Sequence, residues 1–559
     1  MTRGARGTVA GVLAGVLALL AHGRAAAAEP AENPERSIAE TLRERLDQMQ
    51  ATGRVEVEKT ELVFRRGLSE IYERSGYRPF WTPERLGVLL ELVRESEKDG
   101  LTPEDYHLAA LSRLAPALGT AGADAVTRAN VDLLATDAFA LLVYHLYLGK
   151  VDPKSLDARW NFEPRPIGEQ GGTGFVLDAL TQGRLREAVE AVRLDHWWYQ
   201  RARAALAEYR GLAARGGWGV IPGGRTLKAG MSDPRVPALR HRLAATGELT
   251  GESLESTVFD EPLAAAVGAF QARHRLPQDG AVGPGTLAEL NVPVEARILQ
   301  IRVNLERARW ALHEITPGEL VIVDVAGFEV AYVKDQEPIW RARIQIGKPY
   351  RQTPIFKSEI EHVVFNPTWT VPPGILAKDI LPAVRRDPGY LAHKRLDVID
   401  RSGRKVDPAG IDWSRQSARS FPYVLRQEPG PDNALGRVKI MFPNPYAVYL
   451  HDTPSKALFE ESARAFSSGC IRVERPLELT RLLLNDPDQW DERAIDEVVA
   501  AGKTRTVRLR RPVPVLLMYW TIAPDSQGRT VFKRDPYGRD PPLARALDAP
   551  FRPRRRPSP

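Results

Sequence analysis

Near residue 317 the hydrophobic period of this chain switches from that of helices to that of strands, so its two halves need different kinds of core. Before the switch, residues 61–72 set Leu62, Phe64, Leu68 and Ile71 at helical spacing, and residues 131–148 do the same with Leu133, Leu134, Phe139, Leu142 and Tyr147. A further helix is expected over 294–310, with Ile298, Ile301, Leu305 and Ala308 on one stripe. After the switch, residues 319–325, 328–333 and 339–346 are rich in β-branched side chains. Short turns at Ala326-Gly327 and 334–337 separate them, which is the pattern of antiparallel strands. At 559 residues the chain also exceeds what one hydrophobic core supports, and at roughly 100–200 residues per unit it divides into three or four. The expected class is multidomain α+β: an α-helical scaffold, a three-helix module and a mainly-β domain carrying an inserted cap.

The boundaries follow from local chemistry. Arg3 and Arg6 precede an uncharged apolar run over 7–21 and four alanines at 25–28, the layout of a secretory signal peptide over residues 1–28. The run is shorter than the roughly 20 residues needed to span a bilayer, so no transmembrane span is expected after cleavage; an uncleaved anchor is the alternative. No later segment is expected to cross a membrane. The helical unit covers 38–222 and ends at the glycine pairs 216–217 and 223–224. A compact unit follows over 232–293 and a strand-rich unit over 317–509. Within the latter, residues 374–423 are charged and poor in strand signals. Long insertions in compact domains tend to be functional, so this one is read as a cap over substrate. Residues 510–559 form an extension in which 513–520 and Phe532 return as strand or pack on the scaffold, ending in a solvated basic tail at 552–556.

A composition of 43% apolar and 27% charged residues excludes wholesale disorder and a membrane bundle, and a net charge of +7 spread over this length points to no nucleic acid. Cysteine usage says more. Cys470 stands alone, so no intrachain disulfide can form, and an exported chain that keeps one thiol carries an oxidation liability.

In the 232–293 unit, residues 237–243 and 263–274 give two amphipathic helices and the glycine-rich turn at 278–287 opens a third. Phe270-Gln271 followed by the Asp-Gly-Ala-Val-Gly-Pro-Gly-Thr turn at 279–286 resembles the three-helix peptidoglycan-binding domain. The resemblance implies wall binding; a retained spacer is the alternative.

The chemistry concentrates in Val448-Tyr449-Leu450-His451-Asp452-Thr453-Pro454 and Ser467-Ser468-Gly469-Cys470-Ile471-Arg472-Val473. A thiol is mostly protonated near neutral pH while the thiolate is the nucleophile, so a catalytic cysteine wants an imidazole and a positive field. His451 lies nineteen positions before Cys470, far enough to loop back beside it, and Arg472 supplies a cation. Ser468-Gly469 allows a tight turn that could aim backbone N–H groups at a developing oxyanion. The scattered His313, His362, His393 and His451 with one cysteine lack the spacing of a zinc site, so no metal and no cofactor is expected.

These residues resemble the signature of the L,D-transpeptidases, a His followed by Ser/Thr-x-Gly-Cys-x-Arg. The surrounding chain is similar to the large periplasmic subgroup with a scaffold, a peptidoglycan-binding module and a capped catalytic domain. Residues 99–107, 365–373, 433–436 and 442–444 support the closer match. The family often has His where this chain has Ser468. The resemblance implies that Cys470 attacks the diamino-acid carbonyl of a donor tetrapeptide, with His451 as base. A second stem's amine then resolves the acyl-enzyme into a 3–3 cross-link. It implies support from Gly469, Ser468 and Arg472, a cleft lined by Tyr449, Trp369, Asp452 and Thr453, and acylation by β-lactams of the carbapenem type. Hydrolysis as an L,D-carboxypeptidase, attachment of a protein to peptidoglycan, and a non-catalytic wall-binding scaffold stay open.

Overall fold

The computed structural model describes residues 34–551 apart from 54–55, 120–122, 166, 168–169 and 252. The expected signal segment and the basic tail at 552–556 lie outside the described residues.

The N-terminal half is helical around one buried helix, Ala125–Leu148. Its side chains are apolar nearly all round, which suits a helix enclosed by others rather than one with a wet face. This helix is long and apolar enough to cross a membrane, contrary to the sequence expectation for the later segments, yet 89% of its most apolar stretch is buried inside the protein. Its polar residues are tied into the fold. Asp137 accepts the backbone N–H groups of Val63 and Phe64 (3.1 and 2.6 Å) and pairs with His107 at 2.7 Å. Asp132 accepts from the Phe80 and Trp81 backbone and from the Tyr72 hydroxyl, and burial raises its carboxyl to about 6. Buried carboxylates of this kind are tolerable because backbone donors replace water.

The three-helix module comprises Val236–Ala245, Glu261–Arg273 and Pro284–Leu290 around Leu239, Leu243, Phe259, Val267 and Phe270. Gln271 is buried. Its amide donates to Asp279 and to the Ala281 carbonyl, and it accepts from Gly280 N–H at 2.9 Å, so it staples the glycine-rich turn to the helix. The module is docked as well: Arg273 donates to the Tyr209 hydroxyl of the helical unit at 3.0 Å.

Helix Val294–Ala311 is the spine that joins the units. On one side the fully buried Arg309 donates to Tyr199 and to the Asp99 carbonyl of the helical unit, while Glu306 holds its guanidinium at 2.6 Å. On another, Gln300 and Asn304 reach Thr521, and Arg307 pairs with Asp540.

The C-terminal half is built on a nine-stranded mixed sheet: β1 Glu319–Asp324, β2 Glu329–Lys334, β3 Glu337–Gly347, β4 Phe356–Phe365, β5 Val438–Met441, β6 Leu450–His451, β7 Ala465–Ser467, β8 Ile471–Val473 and β9 Arg505–Met518. The order is β7-β3-β8-β6-β5-β4-β9-β1-β2, and because β2 also pairs with β3 the sheet closes on itself. Two boundaries differ from the sequence reading. Strand β9 does not stop at 509; its last four residues pair in parallel with β1, so the stretch expected in the extension completes the sheet. The insertion is also larger than 374–423. It is framed by strands Trp369–Thr370 and Val424–Gln427, which pair with each other, and it holds its own core of Leu376, Ile380, Leu381, Val384, Leu391 and Val398. Its strands at 397–399 and 405–406 are too short for their alternation to register in sequence.

Candidate active site

Alternation along a strand sends successive side chains to opposite faces, and across β5, β6, β8 and β3 this sorts two rows. Ile440, Leu450 and Ile471 pair in register and are fully buried on one face. On the other, Lys439 lies opposite His451, His451 opposite Arg472, and Arg472 opposite Gln345. The inward row anchors two-residue β6; the outward row is polar and carries the chemistry.

One step before β8, Cys470 stands abreast of Tyr449, where the Ile471 N–H donates to the Tyr449 carbonyl at 3.1 Å. The partly exposed thiol points at the Ala447 carbonyl, 3.5 Å away. The imidazole is one step further along β6, diagonal to Cys470 across the parallel β6–β8 pair and on the same face. The Tyr449 and His451 rings meet edge to face with centroids 5.6 Å apart.

His451 is buried, and its Nδ1 hydrogen-bonds the Asp452 carbonyl. A carbonyl only accepts, so Nδ1 must carry the proton and Nε2 keeps its lone pair, the tautomer a base requires. Burial, and then the Arg472 cation, lower the imidazole to about 3, so it is neutral at rest. Burial also raises the Cys470 thiol, against the lowering influence of Tyr449, Arg472 and Lys439. The sequence reading expects the imidazole and cation to favour the thiolate; in the structure burial outweighs them, leaving a neutral thiol and a neutral base. Burial and the neighbouring sulfur keep the Tyr449 phenol protonated, so it can donate to a thiolate.

The loop ahead of the thiol is held from several sides. Gly469 has φ +123°, a conformation L side chains rarely adopt. Its N–H donates to Ser467 Oγ at 3.1 Å, and its carbonyl accepts from Thr353 at 2.8 Å. Of the backbone N–H groups expected to meet an oxyanion, those of Gly469 and Cys470, the first is therefore engaged; among the described residues the second has no acceptor. Ser468 is exposed and accepts from Arg351 at 2.7 Å, and Arg351 also pairs with Asp379 of the insertion at 2.5 Å. Asn444 accepts the N–H groups of Tyr446 and Val448, pinning the loop that turns the Ala447 carbonyl, at φ +54°, toward the sulfur.

Residues 318–513 match the model of the YkuD family, described as the L,D-transpeptidase catalytic domain. The chain carries an L,D-transpeptidase catalytic domain. Residues 66–206 match a model described as a scaffold domain, and 232–290 one described as a "Putative peptidoglycan binding domain". A relative from Haemophilus influenzae, described as "Putative L,D-transpeptidase", is 38% identical over 220 residues, 39% of this chain and 44% of its own length. The match thus spans less than half of that relative. Residues 123–326 of an L,D-transpeptidase from Xylanimonas cellulosilytica are 15% identical, aligning over 53% of this chain and 99% of that one at a TM-score of 0.18. An L,D-transpeptidase from Stackebrandtia nassauensis is 12% identical, over 54% and 96%, at 0.20.

Within the L,D-transpeptidase domain the structure brings Cys470, Tyr449, His451 and Arg472 together. Three expected cleft residues lie outside this row. Asp452 follows His451 and so points to the opposite face, where it is buried and pairs with Arg437 at 3.1 Å and with Lys456. Thr453 is buried too, its hydroxyl accepting from Ser455 N–H. Trp369 stands in the insertion's sheet, packed on that unit's core. Lys439 and Arg351 were not singled out in the sequence; a lone lysine in the alternating 438–441 strand was the available signal for the first.

Proposed function

We propose that this L,D-transpeptidase domain forms 3–3 cross-links between peptidoglycan stem peptides through a thioester on Cys470, with His451 as the base. The tautomer of His451 beside the Cys470–Tyr449 pair carries this reading, because it leaves an unprotonated Nε2 on the face that bears the thiol. As Sγ attacks the diamino-acid carbonyl of a donor tetrapeptide, its proton passes to Nε2, and the imidazolium then protonates the departing D-Ala amine. The second stem's amine gives a proton back to His451 as it attacks the thioester, and the thiol is restored. The Cys470 N–H is positioned to receive the oxyanion, and the Gly469–Ser467 bond fixes the turn that presents it.

The match to a peptidoglycan-binding domain supports a wall-bound substrate, and the signal-like segment at 1–28 supports export to the periplasm. The insertion, tied to Ser468 through Arg351, acts as the cap that holds the acceptor amine and limits water. Incubation of the mature chain with disaccharide-tetrapeptide, followed by mass spectrometry of the products, tests this. A dimer cross-linked through two diamino acids is the expected product, whereas tripeptide with free D-Ala as the sole product would make the enzyme a carboxypeptidase.

A further inference from the structure

We infer that Lys439 and Arg472 together form a carboxylate-receiving site beside the Cys470 thiol, which reads a free carboxylate of the donor stem peptide. This rests on the proposed acyl transfer and adds to it a determinant of donor choice.

The two cations flank His451 on one face, Lys439 one strand to one side and Arg472 one strand to the other. Both are partly buried. The Lys439 ammonium lies 5.0 Å from the centre of the Tyr449 ring, which itself borders the sulfur. Among the described residues Arg472 makes a single side-chain hydrogen bond, to the neutral Gln345 at 3.2 Å, and its Nε is buried without a partner. Among the described residues neither cation has a carboxylate partner. Glu474, two residues past Arg472, is taken by Arg343, and Asp452, beside His451, is turned to the far side of the strand and occupied by Arg437 and Lys456.

A half-buried cation normally acquires an anionic partner, because desolvation without one is costly. Here the local group able to become negative is the Cys470 thiol, and it influences both cations. A thiolate neutralises one positive charge and the acylated sulfur none, so at least one cation is unmatched throughout the reaction. A substrate carboxylate supplies the missing charge. Stem peptides offer two sources, the C-terminal carboxylate of the donor and, where the diamino acid is dicarboxylic, the carboxylate on its side chain.

The test uses the mature chain and three synthetic donor tetrapeptides: the free acid, the C-terminal amide, and the amide at the diamino-acid side-chain carboxylate. Cys470 acylation rates are read by intact-protein mass spectrometry and divided by each variant's alkylation rate with neutral iodoacetamide, which removes changes in thiol reactivity. The expected result is a preference of about tenfold or more for the free acid over one of the two amides, which identifies the carboxylate read. In Lys439→Met that preference collapses toward unity, and in Lys439→Arg it returns. Equal losses on acid and amide donors in Lys439→Met, or no acid preference in the wild type, overturn the inference. A wild-type chain that iodoacetamide labels but no donor acylates refutes the underlying transfer reaction instead.

Discussion

The Nδ1 bond to the Asp452 carbonyl fixes where the one proton of His451 sits, and the proposed role of that residue as base has measurable consequences. His451→Ala should slow acylation of Cys470 by a carbapenem about a hundredfold or more while leaving the circular dichroism spectrum unchanged. The resting pair should also be visible in pH dependence. With the thiol raised above its ordinary 9.0 and the imidazole lowered to about 3, neither changes charge between pH 5 and 8. Iodoacetamide labelling should therefore rise in a single limb above pH 9, and an inflection below pH 7 would mean a thiolate–imidazolium pair. Cys470 and His451 stand out in the sequence because residue type and a recognisable motif single them out, and the fold sets them on neighbouring strands. Asp452 faces away from His451 because successive residues along a strand do not share a face, and Thr453 lies past the end of β6, buried and bonded to Ser455 N–H. Lys439 was missed because its place opposite His451 depends on the β5–β6 register, which no local pattern encodes.

Among the elements, the insertion and the loops that grip the thiol matter most. Arg351 joins Asp379 of the insertion to Ser468, and its loop packs so closely that a Cβ on Gly347 would meet the Arg351 carbonyl at 2.0 Å. Arg351→Ala should cost only about 1 kcal/mol of stability, since the Asp379 end of the ion pair is open to solvent, yet raise amide hydrogen exchange across 369–427. Unchanged exchange would show that the insertion is held by other contacts. The helices and the first three strands were readable because their periods run over many residues. The insertion's strands of two to four residues were not, and its edges were fixed by pairing between 369–370 and 426–427 rather than by composition.

At the scale of the whole molecule, the spine helix and strand β9 bind the units together. Truncation after 509 removes the segment pairing with β1 and β4, including the buried Val515, Leu516 and Leu517. Buried residues of this kind contribute about 2–5 kcal/mol each, so their loss approaches the roughly 5–15 kcal/mol that holds a domain folded. A chain ending at 509 should be insoluble or proteolysed where one ending at 551 is not. Acid should also weaken the fold. His451 and His274 are each lowered to about 3 by burial, so the folded state binds fewer protons than the unfolded one. Their contribution is complete above pH 6.5 and is lost as pH falls toward 3, and the Tm should decline across that window. A Tm that is flat or rises on acidification would contradict both assignments.

The transfer chemistry itself is tested most directly by trapping the acyl-enzyme. The protein from residue 29 onward, incubated briefly with donor tetrapeptide and quenched in acid, should gain the mass of the peptide less D-Ala. Proteolytic mapping should place that mass on Cys470, and it should be absent from His451→Ala. A product formed with no such adduct, or with the acyl group on another residue, would contradict the account.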